Sequence, residues 1–158
     1  MKTDPVVLTP AQQRFVEQMG LHFASIGIPR IGGRIFGLML IAPRPLRLEE
    51  IAKLLKVSRA SVSVMTRLIM HIGVIEPHAV PGDRRNYYAF SSDAWGHRFE
   101  TVINHAREVR KLAQEGLSVV GPKDHAARAR LAEAAEFGDL LEEMATGALG
   151  RWRARKSA

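Results

Sequence analysis

The chain has 158 residues, 46% of them hydrophobic, and its 23 Lys and Arg against 16 Asp and Glu give a net charge of +7. This length predicts one domain, or one domain with an appendage. The basic charge favours an acidic partner, with nucleic acid ahead of a membrane surface. The absence of cysteine excludes disulfides, thiol redox sensing and thiolate zinc sites, and it fits a cytoplasmic protein. No apolar run reaches the roughly 18 residues of a membrane helix, so no membrane partner is expected.

The positive charge is distributed unevenly along the chain. Residues 1–92 carry 12 Lys or Arg and 6 Asp or Glu, a net charge of +6. Residues 93–150 carry 7 and 10, a net charge of −3, and the last eight residues add +4. The first part is therefore expected to face the acidic partner. The basic tail 151–158 is predicted to be disordered and to add nonspecific affinity.

Two helices are predicted near the N-terminus. Thr9 and Pro10 are a typical N-cap and first helical residue, and apolar residues then recur at helical spacing up to Gly27. The next segment, RIGGRIFGLMLIA, is apolar nearly all round and is expected to be a buried helix. Gly33 and Gly37 within it have the spacing of closely packed helices.

A short helix, a tight turn and a longer helix follow. Ile51, Leu54 and Leu55 form the apolar face of the short helix, and Ser58 is a good N-cap for a helix that runs to His71. This order predicts a helix-turn-helix whose second helix enters the major groove, although an amphipathic helix with a solvated face fits the same pattern. Val62, Met65, Ile69 and Ile72 recur at a spacing of three or four residues and are predicted to point inward. The residues predicted to contact DNA from this helix are Ser58, Arg59, Ala60, Ser61, Ser63 and Arg67.

A β-hairpin is predicted directly after this motif. Two runs rich in β-branched and aromatic residues, Val74–Pro77 and Asn86–Phe90, flank a Gly-Asp turn. A hairpin in this place is a wing, and Arg84 and Arg85 at its tip are predicted to contact the DNA backbone or the minor groove. Asp83 weakens a basic tip, so it is interpreted as an internal brace that pairs with an arginine or caps turn amides.

From residue 93 onward the apolar residues change to heptad spacing. Alanine-rich seams of this kind bury little as a lone hairpin, so a partner helix is expected, either the chain's own first helix or one from another subunit. A homodimer is the economical interpretation. The two seams comprise Trp95, Phe99, Val102, Ala106, Val109 and Ala113, and then Ala127, Leu131, Ala134, Gly138, Leu141 and Ala145.

The sequence resembles a known protein family in three segments. They are PRIGGRIFGLML, PLRLEEIAKLLKVSRASVSVMTRLIMHIGVIE and VPGDRRNYYAF. In order and spacing they resemble the GbsR-type branch of the MarR-like winged helix-turn-helix transcription regulators, in detail over roughly residues 28–95. The resemblance implies a homodimeric repressor or activator on palindromic DNA, joined through its terminal helices. It also implies that Asp83 braces the wing and that Arg85 reaches the DNA. The departures from the family pattern are Arg47, Val64 and Thr66, and they leave the operator sequence open.

Some members of that branch sense choline or other quaternary ammonium compounds. Such ligands need an aromatic cage, because cation–π attraction requires exposed ring faces. A small-molecule effector is therefore considered, with Tyr87, Tyr88, Trp95 and Phe99 as the candidate cage. In the alternative interpretation Trp95 and Phe99 are seam residues and Tyr88 supports the wing.

No catalytic constellation is recognisable in the sequence. There is no convincing Ser/His/Asp set, glycine-rich phosphate loop or inward carboxylate pair, so neither an enzyme nor a cofactor is predicted. His97, Glu100 and His105 have part of a metal-ligand spacing, but isolated helix histidines are usually surface residues and no metal site is predicted.

The sequence thus predicts a mainly α fold with a small β-hairpin. Its expected parts are an N-terminal helix that contributes to dimerisation (1–27), a winged helix-turn-helix DNA-binding domain (28–92), a helical dimerisation region (93–150) and the basic tail (151–158). The predicted function is sequence-specific binding of double-stranded DNA by a homodimeric, cytoplasmic transcriptional regulator. The alternatives are a winged-helix protein–protein interaction module, disfavoured by the basic first part, and a small-molecule-binding helical protein without DNA binding.

Overall fold

The computed structural model describes residues 5–157 and confirms a mainly helical fold with a small sheet. The described chain forms two compact units, one ending at Ala94 and the other beginning at Trp95. Within residues 5–157 no helix is long and apolar enough to cross a membrane. The elements are α1 (Pro10–Ser25), α2 (Arg30–Ile41), β1 (Leu46–Arg47), α3 (Leu48–Leu55), α4 (Arg59–His71), β2 (Ile75–Val80), β3 (Asp83–Phe90), α5 (Ala94–Val119) and α6 (His125–Lys156).

The helix ends follow the predicted capping residues. The Gln12 N–H donates to Thr9 Oγ1 at 3.2 Å, while the Thr9 N–H donates to Gln12 Oε1 at 2.9 Å, which is a complete capping box. At α4 the Ser58 hydroxyl accepts from the Ser61 N–H at 3.1 Å. Gly73, with φ 74°, ends the segment after α4 in the left-handed region.

Glycines let α1 and α2 approach closely, as their spacing predicts. A Cβ added to Gly33 would lie 2.5 Å from the carbonyl oxygen of Met19, and one added to Gly37 would lie 2.9 Å from Met19 Cβ. The same helix contributes Ile35 and Leu38, which are fully buried. The close contact therefore anchors the core of the first unit on α2.

The helix-turn-helix packs on α2 through its predicted apolar face. Val62, Met65 and Ile69 of α4 are buried and Ile72 is half-buried, which confirms the predicted inward face. The core that these residues join also includes Leu46, Ile51, Leu55, Val74 and Ile75.

The sheet has three antiparallel strands in the order β1-β3-β2. Its hairpin is longer than the predicted runs, Val74–Pro77 and Asn86–Phe90, because backbone pairing continues to the turn, where Gly82 has φ 80°. The third strand, β1, is absent from the prediction, since a two-residue strand has no periodicity to detect. It places Leu46 opposite Tyr88 of β3 and so ties the start of α3 to the wing.

In the second unit the two predicted seams face each other. A Cβ on Gly138 of α6 would lie 2.9 Å from the carbonyl oxygen of Ala106 on α5, and a Cβ on Gly116 would lie 2.8 Å from Leu131 Cδ2. The small residues thus serve close packing between α5 and α6 of one chain. The expectation that these seams also meet a helix of another subunit stays a prediction.

The basic tail is helical up to Lys156, which corrects the prediction that residues 151–158 are disordered. Leu149 is buried and Trp152 is half-buried, so the apolar face of α6 continues into the tail. Arg153 also forms an ion pair with Glu100 of α5. These contacts offset the repulsion among the tail's basic side chains. Ala158 lies outside the described residues.

The close approach of α1 and α2 can be tested by adding one methyl group. Gly33→Ala should lower the free energy of unfolding by about 1–3 kcal/mol, because the new Cβ meets Met19 and Phe23. Gly150→Ala is the matched control, since a Cβ there meets no atom within 4 Å, and it should stabilise the helix by up to about 1 kcal/mol. Urea denaturation measures both effects, and equal stability of the two variants would contradict the packing described.

Candidate nucleic-acid interface

Glu50 fixes the start of α3 by binding two arginines. Its Oε1 accepts from Arg44 Nη2 at 2.8 Å, and its Oε2 accepts from the Arg47 N–H at 2.9 Å and from Arg47 Nε at 3.1 Å. Arg47 is the N-cap residue of α3, so these hydrogen bonds satisfy the backbone at the helix start. Partial burial acts to raise the pKa of Glu50, but the hydrogen bonds from Arg44 and Arg47 outweigh it and lower that pKa to about 2.

The predicted contact residues of α4 divide into two groups. Ser58 and Ser61 lie at the helix start, where their hydroxyl oxygens are 2.8 Å apart and Ser58 caps the helix. Ala60 and Arg67 are exposed on the outer face, whereas Ser63 is half-buried. The helix start and one outer face are therefore open to a partner.

Two apolar residues on this outer face are absent from the predicted site. Val64 is 59% exposed and Leu68 is 46% exposed, and they are four residues apart on α4. An apolar side chain in the major groove can contact the thymine methyl group. The sequence could have indicated their exposure, because neither residue belongs to the series Val62, Met65 and Ile69 that points inward.

Arg59, the first residue of α4, is paired with α3. Its Nη2 lies 2.9 Å from Glu49 Oε1, and the two side chains are 72% and 52% exposed. An exposed pair of this kind contributes only about 0–1 kcal/mol. A phosphate or a base can therefore replace Glu49 as the partner of Arg59 at little cost.

Asp83 braces the wing through Arg85 and Tyr87. Its carboxylate accepts from the Arg85 N–H at 3.0 Å and from Arg85 Nε at 2.8 Å, it pairs with Arg85 Nη2, and it accepts from the Tyr87 hydroxyl at 2.8 Å. The Arg85 hydrogen bonds hold the pKa of Asp83 well below its usual range. The hydrogen bond to Asp83 likewise raises the pKa of Arg85 and that of Tyr87. Asp83 thus stays ionised and keeps the Arg85 guanidinium beside the hairpin.

The wing tip and the helix-turn-helix border one common space. A cavity of about 320 Å³ is lined by Arg47, Arg59, Arg84 and Arg85, with Glu49 on its wall. Three of these arginines have a carboxylate partner, while Arg84 has no ion pair within residues 5–157. The cavity therefore offers cationic groups from β1, α4 and the wing to an anionic partner.

Arg47 and Glu49 are additional residues that the sequence did not assign to this site. Arg47 reaches the cavity because β1 pairs with β3, with Arg47 opposite Tyr87. No short-range sequence pattern predicts the pairing of these two strands. The sequence shows Glu49 only as an acidic residue in the first turn of the short helix α3. Nothing in that position indicates that it pairs with Arg59 of the following helix.

The aromatic residues of the candidate effector cage occupy different environments. Tyr87 is 6% exposed and its hydroxyl is bound to Asp83, so it does not offer the open ring face that a cage requires. Tyr88 is half-buried against the core of the first unit, and Phe99 packs on the small core of the second. Trp95, also in the second unit, is 43% exposed.

The helix-turn-helix, the wing and the arginine-lined cavity define a winged-helix protein of the DNA-binding type. A family model, the MmpR5-like MarR family transcriptional regulator, matches residues 93–155. The HTH-type transcriptional regulator MmpR5 of Mycobacterium tuberculosis is 33% identical over 153 residues, which cover 96% of this chain and 93% of that protein. A crystal structure of a transcriptional regulator matches with a TM-score of 0.84 at 33% identity, over 92% of this chain and 99% of the other.

A more distant relative is the putative HTH-type transcriptional regulator YvaV of Bacillus subtilis, 23% identical over 59% of this chain and 53% of that protein. Because the similarity to MmpR5 extends over almost the whole chain, the chain belongs to the MarR family of transcriptional regulators, as an MmpR5-like member. The predicted winged-helix fold and the predicted role as a DNA-binding regulator are confirmed at this level.

The Glu50 network predicts a pH-dependent stability. The folded pKa of about 2 lies below the ordinary value of 4.5, so the network stabilises the fold fully above pH 4.5. Its contribution is lost as the pH falls from there through 2. At pH 7, Glu50→Gln should lower the free energy of unfolding by about 1–3 kcal/mol.

Denaturation of wild type and variant between pH 7 and pH 3 measures this effect. The difference between the two proteins should shrink below pH 4.5. Glu76→Gln is the control, because Glu76 is exposed on β2 and forms no ion pair within residues 5–157. A difference that stays constant down to pH 3 would contradict the lowered pKa of Glu50.

Proposed function

We propose that the chain acts as a homodimer that binds palindromic double-stranded DNA, with α4 in the major groove and the wing on the neighbouring backbone or minor groove. One observation carries the proposal. The start of α4 and the wing tip open onto the same cavity, with Arg59 on one side and Arg84 and Arg85 on the other. A duplex that lies against this surface would meet both elements at once.

The charged residues of the interface have distinct proposed roles. Arg84, which has no carboxylate partner within the described chain, would bind a phosphate directly. Arg85 would approach the DNA at the angle that Asp83 imposes. Arg59 would exchange Glu49 for the DNA, and the start of α4 beside Ser58 and Ser61 favours a further phosphate.

The outer face of α4 is proposed to read the base sequence. Arg67 can bind a guanine through two hydrogen bonds, while Val64 and Leu68 can contact thymine methyl groups and Ala60 allows close approach. This mixture of one long cation and short apolar side chains favours operators that contain both G·C and T·A pairs.

Selection from random duplexes, followed by fluorescence anisotropy, tests the function directly. The wild-type protein should enrich a palindromic sequence and bind it about a thousandfold more tightly than a scrambled duplex. Binding to both duplexes should weaken steeply as the salt concentration rises. Equal affinity for the selected and scrambled duplexes would reject sequence-specific recognition, and no binding at low salt would favour the protein–protein interaction module.

Two arginine variants separate backbone contacts from base contacts. Arg84→Ala should weaken binding to selected and scrambled duplexes alike and reduce the slope of log affinity against log salt by about 0.9. Arg67→Ala should cost about 1–3 kcal/mol on the selected duplex and little on the scrambled one. Arg130→Ala, exposed on α6, is the control and should leave both affinities unchanged. If Arg84→Ala acts on the selected duplex alone, the proposed phosphate contact is wrong.

The proposed dimer rests on apolar residues that α5 and α6 leave exposed. Phe137 is 60% exposed, Leu140 54% and Met144 62%, and their spacing places them on one face of α6. Leu112 of α5 is also 55% exposed. Large exposed apolar side chains grouped in this way favour a protein interface, and a second copy of this chain is the proposed partner.

Charged substitutions on that face should separate the subunits. The double variant Phe137→Glu and Met144→Glu should change the mass in analytical ultracentrifugation from that of a dimer to that of a monomer. Its affinity for the palindrome should fall sharply, because each half-site is then bound independently. Ala132→Glu adds a charge at another exposed position of α6 and should leave the dimer intact. A wild-type monomer would refute the proposed assembly.

Several finer features also remain proposals. The N-terminal helix (1–27) is proposed to add to dimerisation, beside the DNA-binding domain (28–92) and the helical region (93–150). A small-molecule effector is proposed, with quaternary ammonium compounds as the first class to screen by thermal shift. The GbsR-type branch and the cytoplasmic location stay predictions from the sequence.

A further inference from the structure

The turn between α3 and α4 sets the position of the DNA-reading helix. At this turn Lys56 adopts the left-handed conformation, with φ 54° and ψ 46°, although it is not a glycine. The Lys56 N–H donates to the Lys53 carbonyl at 3.2 Å, and the Val57 N–H donates to the Ala52 carbonyl at 3.0 Å. This is a Schellman arrangement, which satisfies two of the last four carbonyls of α3.

The last carbonyl of α3 is satisfied from another helix. Arg34 of α2 donates from Nη2 to the Leu55 carbonyl oxygen at 2.7 Å, across 21 positions of sequence. Leu55 is only 1% exposed and the Arg34 side chain 19% exposed, so water has little access to this bond. A charged donor at the end of a helix also interacts favourably with the helix dipole.

The first helix orients Arg34. Arg34 Nε lies 2.7 Å from Glu17 Oε1, in an ion pair rather than an aligned hydrogen bond. The arginine stem passes over Gly20 of α1, where an added Cβ would lie 2.6 Å from Arg34 Cγ. Glu17 also pairs with Arg30 at 2.8 Å, but Arg30 makes no hydrogen bond to Leu55 among residues 5–157.

We propose that Arg34 is a positioning residue for DNA recognition, because it ties the turn of the helix-turn-helix to α1 through Leu55 on one side and Glu17 on the other. It touches no base in this scheme. Its effect on sequence reading comes from the fixed direction in which α4 leaves the turn. The inference rests on the proposed DNA-binding function and adds a path by which a shift of α1 changes recognition.

The test compares Arg34→Met with Arg30→Met in the full chain. Both variants remove one arginine that pairs with Glu17, but only the first leaves the Leu55 carbonyl without its donor. On the selected duplex, Arg34→Met should lose about tenfold in affinity, while the scrambled duplex changes less than about twofold. Its salt slope should stay that of the wild type, because no phosphate contact is removed. Arg30→Met should match the wild type in selectivity.

Each outcome decides the proposal. Equal selectivity of Arg34→Met and wild type would overturn it, and so would a lower salt slope with parallel loss on both duplexes, which marks a direct phosphate contact. If Arg34→Met does not fold, Glu17→Gln keeps the Leu55 bond and should still lower selectivity by a smaller factor. Unchanged selectivity in Glu17→Gln would remove the link to α1. A wild type that does not distinguish the two duplexes rejects the proposed sequence-specific recognition instead.

Discussion

The structure depends on how the eight-residue helix α3 is held at its two ends. A helix of this length is not stable alone in water, and it has to fix the turn from which α4 departs. Glu50 holds its start by binding Arg44 and Arg47, and Arg34 holds its end by binding the Leu55 carbonyl. Both devices are charged hydrogen bonds from partly buried groups, which are stronger and more directional than exposed ion pairs. In the proposed scheme these two anchors set the direction of α4, the helix that would read the DNA.

The balance of charge at the interface is a second constraint. Three of the four arginines around the cavity form an ion pair with a carboxylate, and these ion pairs differ in strength. Glu50 and Asp83 have lowered pKa values because several donors converge on each of them, so they shape the site. The exposed Glu49–Arg59 pair is the exchangeable one. Arg47 and Arg85 are therefore held in fixed directions, while Arg59 and Arg84 are available to pair with another anion.

The sequence predicted the features that depend on local order. The N-cap at Thr9, the inward face of α4 and the close approach at Gly33 all have short-range signatures, and the structure shows each of them. Features that join distant segments had no such signature. The strand β1 exists through its partner β3, and the Arg34–Leu55 bond spans 21 positions. The tail was predicted to be disordered because of its basic composition. The buried Leu149, which extends the apolar face of α6 towards the tail, was not taken into account.

In the proposed complex, α4 and the wing approach one duplex from the same side, once per subunit. Hydroxyl-radical footprinting of the wild-type protein on its selected palindrome tests this directly. We expect two protected regions whose centres are one helical turn, about 10 base pairs, or a multiple of it apart, each with a flanking protected stretch from the wing. Protection of a single region, or of two regions without flanking protection, would contradict the arrangement.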